Sequence, residues 1–211
     1  MNQKLIALLA ALLSFFAASQ ANAASISFYL DQSNDLLDGV NYAEVTISDS
    51  TSVSGDIDFE VELLALAFTV SGMNFGMQDF LFNVDDMVSL QAENIINLSQ
   101  SEWKIAQNKN GGGGFGKYDF KLFGNGRSRT EMLTFSISGI TGDTIYSYAT
   151  GSSLNPDADE FFSTHIAGFD LVDGVTSAKF AGSTSVVPVP ASAWLLISGL
   201  LGLITVARRK M

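Results

Sequence analysis

Apolar and polar residues alternate with period two along most of this chain, and that period puts successive side chains on opposite faces of a β-strand. The clearest stretch is Asp56–Leu63, where Ile57, Phe59, Val61 and Leu63 face one way and Asp58, Glu60 and Glu62 the other. Tyr118–Leu122 and Leu133–Ile137 repeat the pattern. Weaker alternation predicts strands over Ser25–Leu30, Tyr42–Ile47, Ala67–Val70, Phe80–Val84, Thr144–Ala149, Phe161–Phe169 and Thr176–Ala181. One apolar and one polar face per strand suits antiparallel sheets with one side in water.

Residues suited to turns separate these runs: Asp38-Gly39, Ser71-Gly72, Asn110–Gly114, Gly124-Asn125-Gly126, Gly142-Asp143, Asn155-Pro156 and Asp173-Gly174. The tetraglycine Gly111–Gly114 and the stretch Gly124–Arg129 read as hairpin loops on either side of the Tyr118–Phe123 strand. They are not phosphate cradles, because no helix pattern and no Gly-Lys-Ser/Thr follows. Short strands with frequent turns predict an all-β domain, an antiparallel β-sandwich or jelly-roll-like fold. Helix is reduced to a turn near Ser99–Ile105, and Ala181–Val187 reads as a spacer.

Both ends of the chain break the pattern and read as targeting segments. Lys4 supplies a positive start, Leu5–Ala18 an apolar stretch, and Ala21-Asn22-Ala23 a small-x-small cleavage site that leaves Ala24 first in the mature chain. The expected organisation is a signal helix over 1–23, a β-sandwich body over 24–184 and a C-terminal sorting segment over 185–211.

Charge sharpens the picture. All 22 acidic residues lie between the two ends, and four of the 11 basic ones (Lys4, Arg208, Arg209, Lys210) lie within them. The body thus keeps seven basic residues against 22 acidic ones, a net of −15. Such a surface repels a phosphate backbone, so nucleic acid is not an expected partner. It leaves carboxylates free for Ca²⁺. The absence of cysteine excludes thiolate metal sites, cysteine catalysis and a lipidated N-terminal Cys, and the single histidine excludes a multi-histidine site.

Candidate chemistry in the body is sparse. Asp157, Asp159 and Glu160 place oxygens in a loop that calcium could use, although Glu160 and Ile166 stand where an EF-hand needs Gly and Glu. A solvated acidic turn is the competing reading. His165 reads as a packed histidine at the edge of the core, on a face shared with Phe161 and Phe169, and no nucleophile or acid partner suggests itself. Trp103 or Tyr118, if exposed, would offer a platform for a sugar ring, against the norm of buried aromatics. No catalytic residues are assigned, and no enzymatic activity is expected.

The tail carries the most specific signal. Val187-Pro188-Val189-Pro190-Ala191 precedes a 17-residue apolar run from Ala191 to Ala207, and Arg208-Arg209-Lys210 follow. The run sits at the short limit of about 17–25 residues for a transmembrane helix. The basic residues form a membrane stop that stays cytoplasmic, which places the body on the outer side. The prolines block helix propagation and leave an extended approach to the bilayer. This order of motif, span and basic end resembles the PEP-CTERM sorting signal of Gram-negative bacteria, in a Pro-Val-Pro variant that lacks the central acid. A plain single-pass anchor is the alternative.

The resemblance implies an exosortase as processing partner and transient residence in the inner membrane. It further implies delivery to the cell surface or extracellular matrix, and an association with exopolysaccharide and biofilm. The expected function is a non-enzymatic structural or adhesive one. The alternatives are a carbohydrate-binding module, with or without calcium, and a secreted hydrolase.

Overall fold

A computed structural model describes residues 24–64, 67–68, 74–151, 160–170 and 174–186. The expected signal segment with Ala21 and Ala23, the expected sorting motif Val187–Ala191, the apolar run, the expected basic stop Arg208–Lys210 and the loop residues Asp157 and Asp159 all lie outside them.

Twelve strands form two antiparallel six-stranded sheets, and no α-helix occurs among the described residues. They are β1 (Ser25–Leu30), β2 (Gln32–Ser33), β3 (Ala43–Asp49), β4 (Ile57–Leu63), β5 (Gly76–Phe82) and β6 (Ile95–Ile96). They continue as β7 (Lys104–Asn110), β8 (Lys117–Phe123), β9 (Met132–Ile137), β10 (Phe162–Ala167), β11 (Ser177–Gly182) and β12 (Thr184–Val186). The first sheet has the order β12-β1-β3-β4-β9-β6 and the second β2-β11-β10-β5-β8-β7. The chain passes from one sheet to the other repeatedly, so each sheet is assembled from distant segments. No helix of the described residues is long and apolar enough to cross a membrane.

Strand β4 shows why the sheets close on each other. Ile57, Phe59, Val61 and Leu63 are buried, while Glu60 and Glu62 stand in water. Phe59 stacks on Phe135 of β9 with centroids 4.5 Å apart and reaches across to Phe82 of β5 at 5.4 Å. Phe80 and Phe162 stack at 6.0 Å within the second sheet, and Phe28 of β1 meets Phe162 at 5.5 Å. Aromatic rings bury about 150–250 Å² each, so this phenylalanine seam removes much apolar area from water in a domain with no disulfide.

Three expectations are corrected. Thr144–Ala149 is not a strand: Ile145–Tyr148 forms a 3-10 turn in which Ile145 and Tyr148 point inward and Tyr146 outward. A turn of three residues per cycle also separates apolar from polar positions, which the alternation alone mistook for a strand. The segment near Ser99–Ile105 gives way to β7, which pairs in register with β8 along its length. Gly124–Arg129 is not a hairpin loop, because it carries the chain from β8 in the second sheet to β9 in the first. Only the Gly111–Gly116 loop is one, between β7 and β8.

Elsewhere, Ala67 and Phe68 belong to no strand. The expected spacer holds the end of β11 and all of β12, which pairs with β1 through Ser27↔Val186, Phe28↔Ser185 and Tyr29↔Thr184.

Candidate functional site

Two surfaces stand out, one on the outer side of each sheet. On the first sheet, register aligns the outward side chains of four strands into rows. Tyr29, Glu44, Glu62 and Met132 form one row, Ser27, Thr46, Glu60 and Thr134 the next, and Ser25, Ser48, Asp58 and Ser136 the third. The hydroxyls knit the rows: Ser27 and Thr46 share a hydrogen bond of 2.8 Å, and Ser136 donates to Asp58 at 2.7 Å. At one end the plane dips into a groove of about 430 Å³, whose lining includes Thr46, Ser48, Ser52, Asp58, Glu60 and Asn97. No basic residue lies on any strand of this sheet.

The outer side of the second sheet is built differently, around a buried charge. The Asp79 side chain on β5 is almost wholly covered. Its Oδ2 takes ion pairs from Lys121 of β8 at 2.7 Å and Lys179 of β11 at 3.0 Å, and its Oδ1 accepts the His165 N–H of β10 at 2.7 Å. Thr164 Oγ1 donates to the Asp79 carbonyl at 2.5 Å. One carboxylate therefore ties together four neighbouring strands. Burial on its own would raise the Asp79 carboxyl, but the two ammonium groups outweigh it and hold the carboxyl below its ordinary value. Burial, and then the Lys179 charge, push the half-buried His165 imidazole below its ordinary value, against the pull of Asp79.

The glycine loop closes over this side. A Cβ at Gly111 would stand 2.8 Å from the Tyr118 ring, and one at Gly113, whose φ is +63°, would stand 2.8 Å from Lys179 Cβ. Only glycine permits that approach and that backbone.

Several candidates read from the sequence are re-sited. His165 does not share its face with Phe161 and Phe169. A register shift in the β10–β5 pairing follows it, Phe169 is in the core and Phe161 packs edge-on against Phe28. Neither proposed sugar platform is exposed: Trp103 is buried with Nε1 donating to Ser128 O at 2.7 Å, and Tyr118 is fully covered. Of the calcium candidates, the described residues include only Glu160, whose carbonyl accepts from Asn83 Nδ2 at 3.4 Å. No group of three or more His, Asp or Glu side chains among the described residues is arranged to hold a metal ion. Ala24 lies just ahead of β1 and donates its N–H to Asp49 Oδ2 at 3.1 Å.

One exposed aromatic escaped the sequence reading. Tyr146 is 69% exposed, and the turn that carries it borders a groove of about 480 Å³ lined by Asp85, Ser89, Ile140, Thr141, Gly142 and Ser147. Met87, 91% exposed, also lines that groove. Its signal was the Gly142-Asp143-Thr144 turn chemistry just upstream. No family model, curated protein or solved structure matches the chain.

Proposed function

We propose that this chain is an exported protein of the cell surface or extracellular matrix with a non-enzymatic, structural or adhesive role beside exopolysaccharide. An exosortase sorts it through the Val187–Ala191 motif and the apolar, basic-ended segment that follows. The observation that carries the adhesive role is the plane of hydroxyls and carboxylates on the first sheet. It is broad, faces water and is spaced by the register of four paired strands, and such a plane suits contact over area more than chemistry at one point. The tail supplies the route to the surface, and the acid surface favours solubility there.

The test of the route is mass spectrometry of the mature C-terminus in a host with and without its exosortase. Loss of residues 191–211 only when the enzyme is present is the expected result, and their persistence in both hosts makes the tail a plain anchor. Retention of the protein by cell-free exopolysaccharide tests the adhesive role.

A second reading is a carbohydrate-binding module, favoured by Tyr146. A solvated ring whose neighbour Ser147 lines a groove of mixed character, with Asp85, Ser89 and Thr141 beside Met87, Val88 and Ile140, offers an apolar face and hydrogen-bonding groups close together, the two things a sugar ring recognises. Calcium assistance through Asp157, Asp159 and Glu160 remains a part of that reading. Titration with oligosaccharides from the host's matrix, with and without Ca²⁺, tests it. A Tyr146→Ala variant that binds as well as the parent removes it.

A further inference from the structure

The basic residues of the body are confined to one side of it, whereas acidic residues occur on both sheets, Asp79 and Asp119 on the second among them. All seven basic residues between Ala24 and Val186 lie on the second sheet or on the connection that leaves it: Lys104, Lys109, Lys117, Lys121, Arg127, Arg129 and Lys179. The strands of the first sheet carry Glu44, Asp49, Asp58, Glu60 and Glu62 and no base. Lys121 and Lys179 are committed to Asp79. Lys104, Lys109 and Lys117 are exposed, make no ion pair among the described residues, and line the outermost strand pair, β7 and β8.

We infer that the acid plane of one copy of this chain docks against the lysine-bearing β7–β8 edge of the next. This rests on reading the plane as a contact surface and is independent of how the tail is processed. Lys104 and Lys117 share one face of the β7–β8 pair, since Lys104 pairs with Phe123 and Asn110 with Lys117 in one unbroken register, and Lys109 stands on the opposite face at the open edge. Glu44 and Glu62 sit directly opposite each other and neither makes an ion pair among the described residues, an arrangement that a docked ammonium relieves. The two surfaces are different parts of the same molecule, so the contact is head-to-tail and can repeat without closing. The net charge of the body opposes approach at very low salt, where the Debye length is about 30 Å. At about 0.15 M it falls to about 8 Å, and the local match governs.

The test is sedimentation velocity on the exported chain, isolated from its host in mild detergent that covers any remaining apolar tail. Assembly that grows with protein concentration is expected at about 0.15 M salt, with dissociation near 1 M. Two variants locate the contact: Glu44→Gln/Glu60→Gln/Glu62→Gln, and Lys104→Gln/Lys109→Gln/Lys117→Gln. Each alone assembles roughly tenfold more weakly or not at all. Mixed, they form a capped 1:1 dimer, because each keeps the half that the other has lost. Circular dichroism confirms that both remain folded.

A monomer at every salt concentration overturns the inference, as does assembly that survives 1 M salt or both sets of substitutions. Binding to exopolysaccharide by a chain that stays monomeric overturns it too, and leaves the proposed adhesive role standing.

Discussion

Glu44 and Glu62 face each other directly across the β3–β4 ladder, two carboxylates in register on the water side of the first sheet. Like charges placed so are destabilising. Glu62→Lys turns the repulsion into a cross-strand pair and is expected to stabilise the fold by about 0.5–1 kcal/mol, or roughly 1–4 °C in Tm. Thermal denaturation at low and high salt checks this, and the gain shrinks as salt rises.

Asp79 makes the opposite case. Asp79→Asn keeps an acceptor for the His165 N–H but strands Lys121 and Lys179, whose side chains are only 21% and 20% exposed. Removing one partner of a buried ion pair costs about 3–5 kcal/mol. The lower end is expected here, because both ammonium groups still reach water. Urea unfolding measures it. A variant of unchanged midpoint would mean that the ion pairs contribute nothing net.

His165 and Asp79 itself both contribute to the acid limb of the stability curve. The His165 imidazole titrates below its ordinary value in the folded chain, so as pH falls through about 6.5 the unfolded state takes up a proton that the folded state refuses. Stability declines in that window, and His165→Gln flattens it. The Asp79 carboxyl is also held low, so its contribution is present above about 3.9 and is lost as pH falls further. Denaturation midpoints between pH 8 and 3 separate the two losses.

Gly76 opens β5 at φ +147°, and a Cβ there would stand 2.7 Å from Thr130 O. That carbonyl accepts the Met77 N–H at 2.7 Å, and the Thr130 N–H returns a bond to Met77 O at 3.1 Å. Gly76→Ala forces this bridge apart, and a loss of about 2 kcal/mol or more is expected. Gly142→Ala serves as the control: its φ is also positive, but nothing lies within 4 Å of its Cβ position, so it bears backbone strain alone.

Much of the sandwich was legible because burial on one side writes itself into alternate residues. β1, β4, β8, β9 and β11 fall within two residues of the runs that predict them. β7 was hidden for a physical reason: Lys104-Ile105-Ala106-Gln107-Asn108-Lys109-Asn110 is an edge strand, mostly in water, and has little apolar face to show. β2, β6 and β12 have only two or three residues, too few to display any period.

The surfaces were less legible than the strands. The carboxylates of β4 were plain in the sequence, but the rows they form with β3 and β9 depend on register, which local pattern does not carry. The Asp79 cluster joins residues up to 100 positions apart, and only the pairing of β5, β8, β10 and β11 brings them together.

The last described strand has a mechanical consequence. β12 ends at Val186 beside Ser27, so both ends of the body come off one margin of the first sheet. Any pull delivered through the chain beyond Val186 reaches a ladder of only three residue pairs before it reaches β1 and the phenylalanine seam behind it. Because β12 runs antiparallel to β1 and leaves beside its start, a pull between the two ends loads these three pairs one after another, Val186 and Ser27 first.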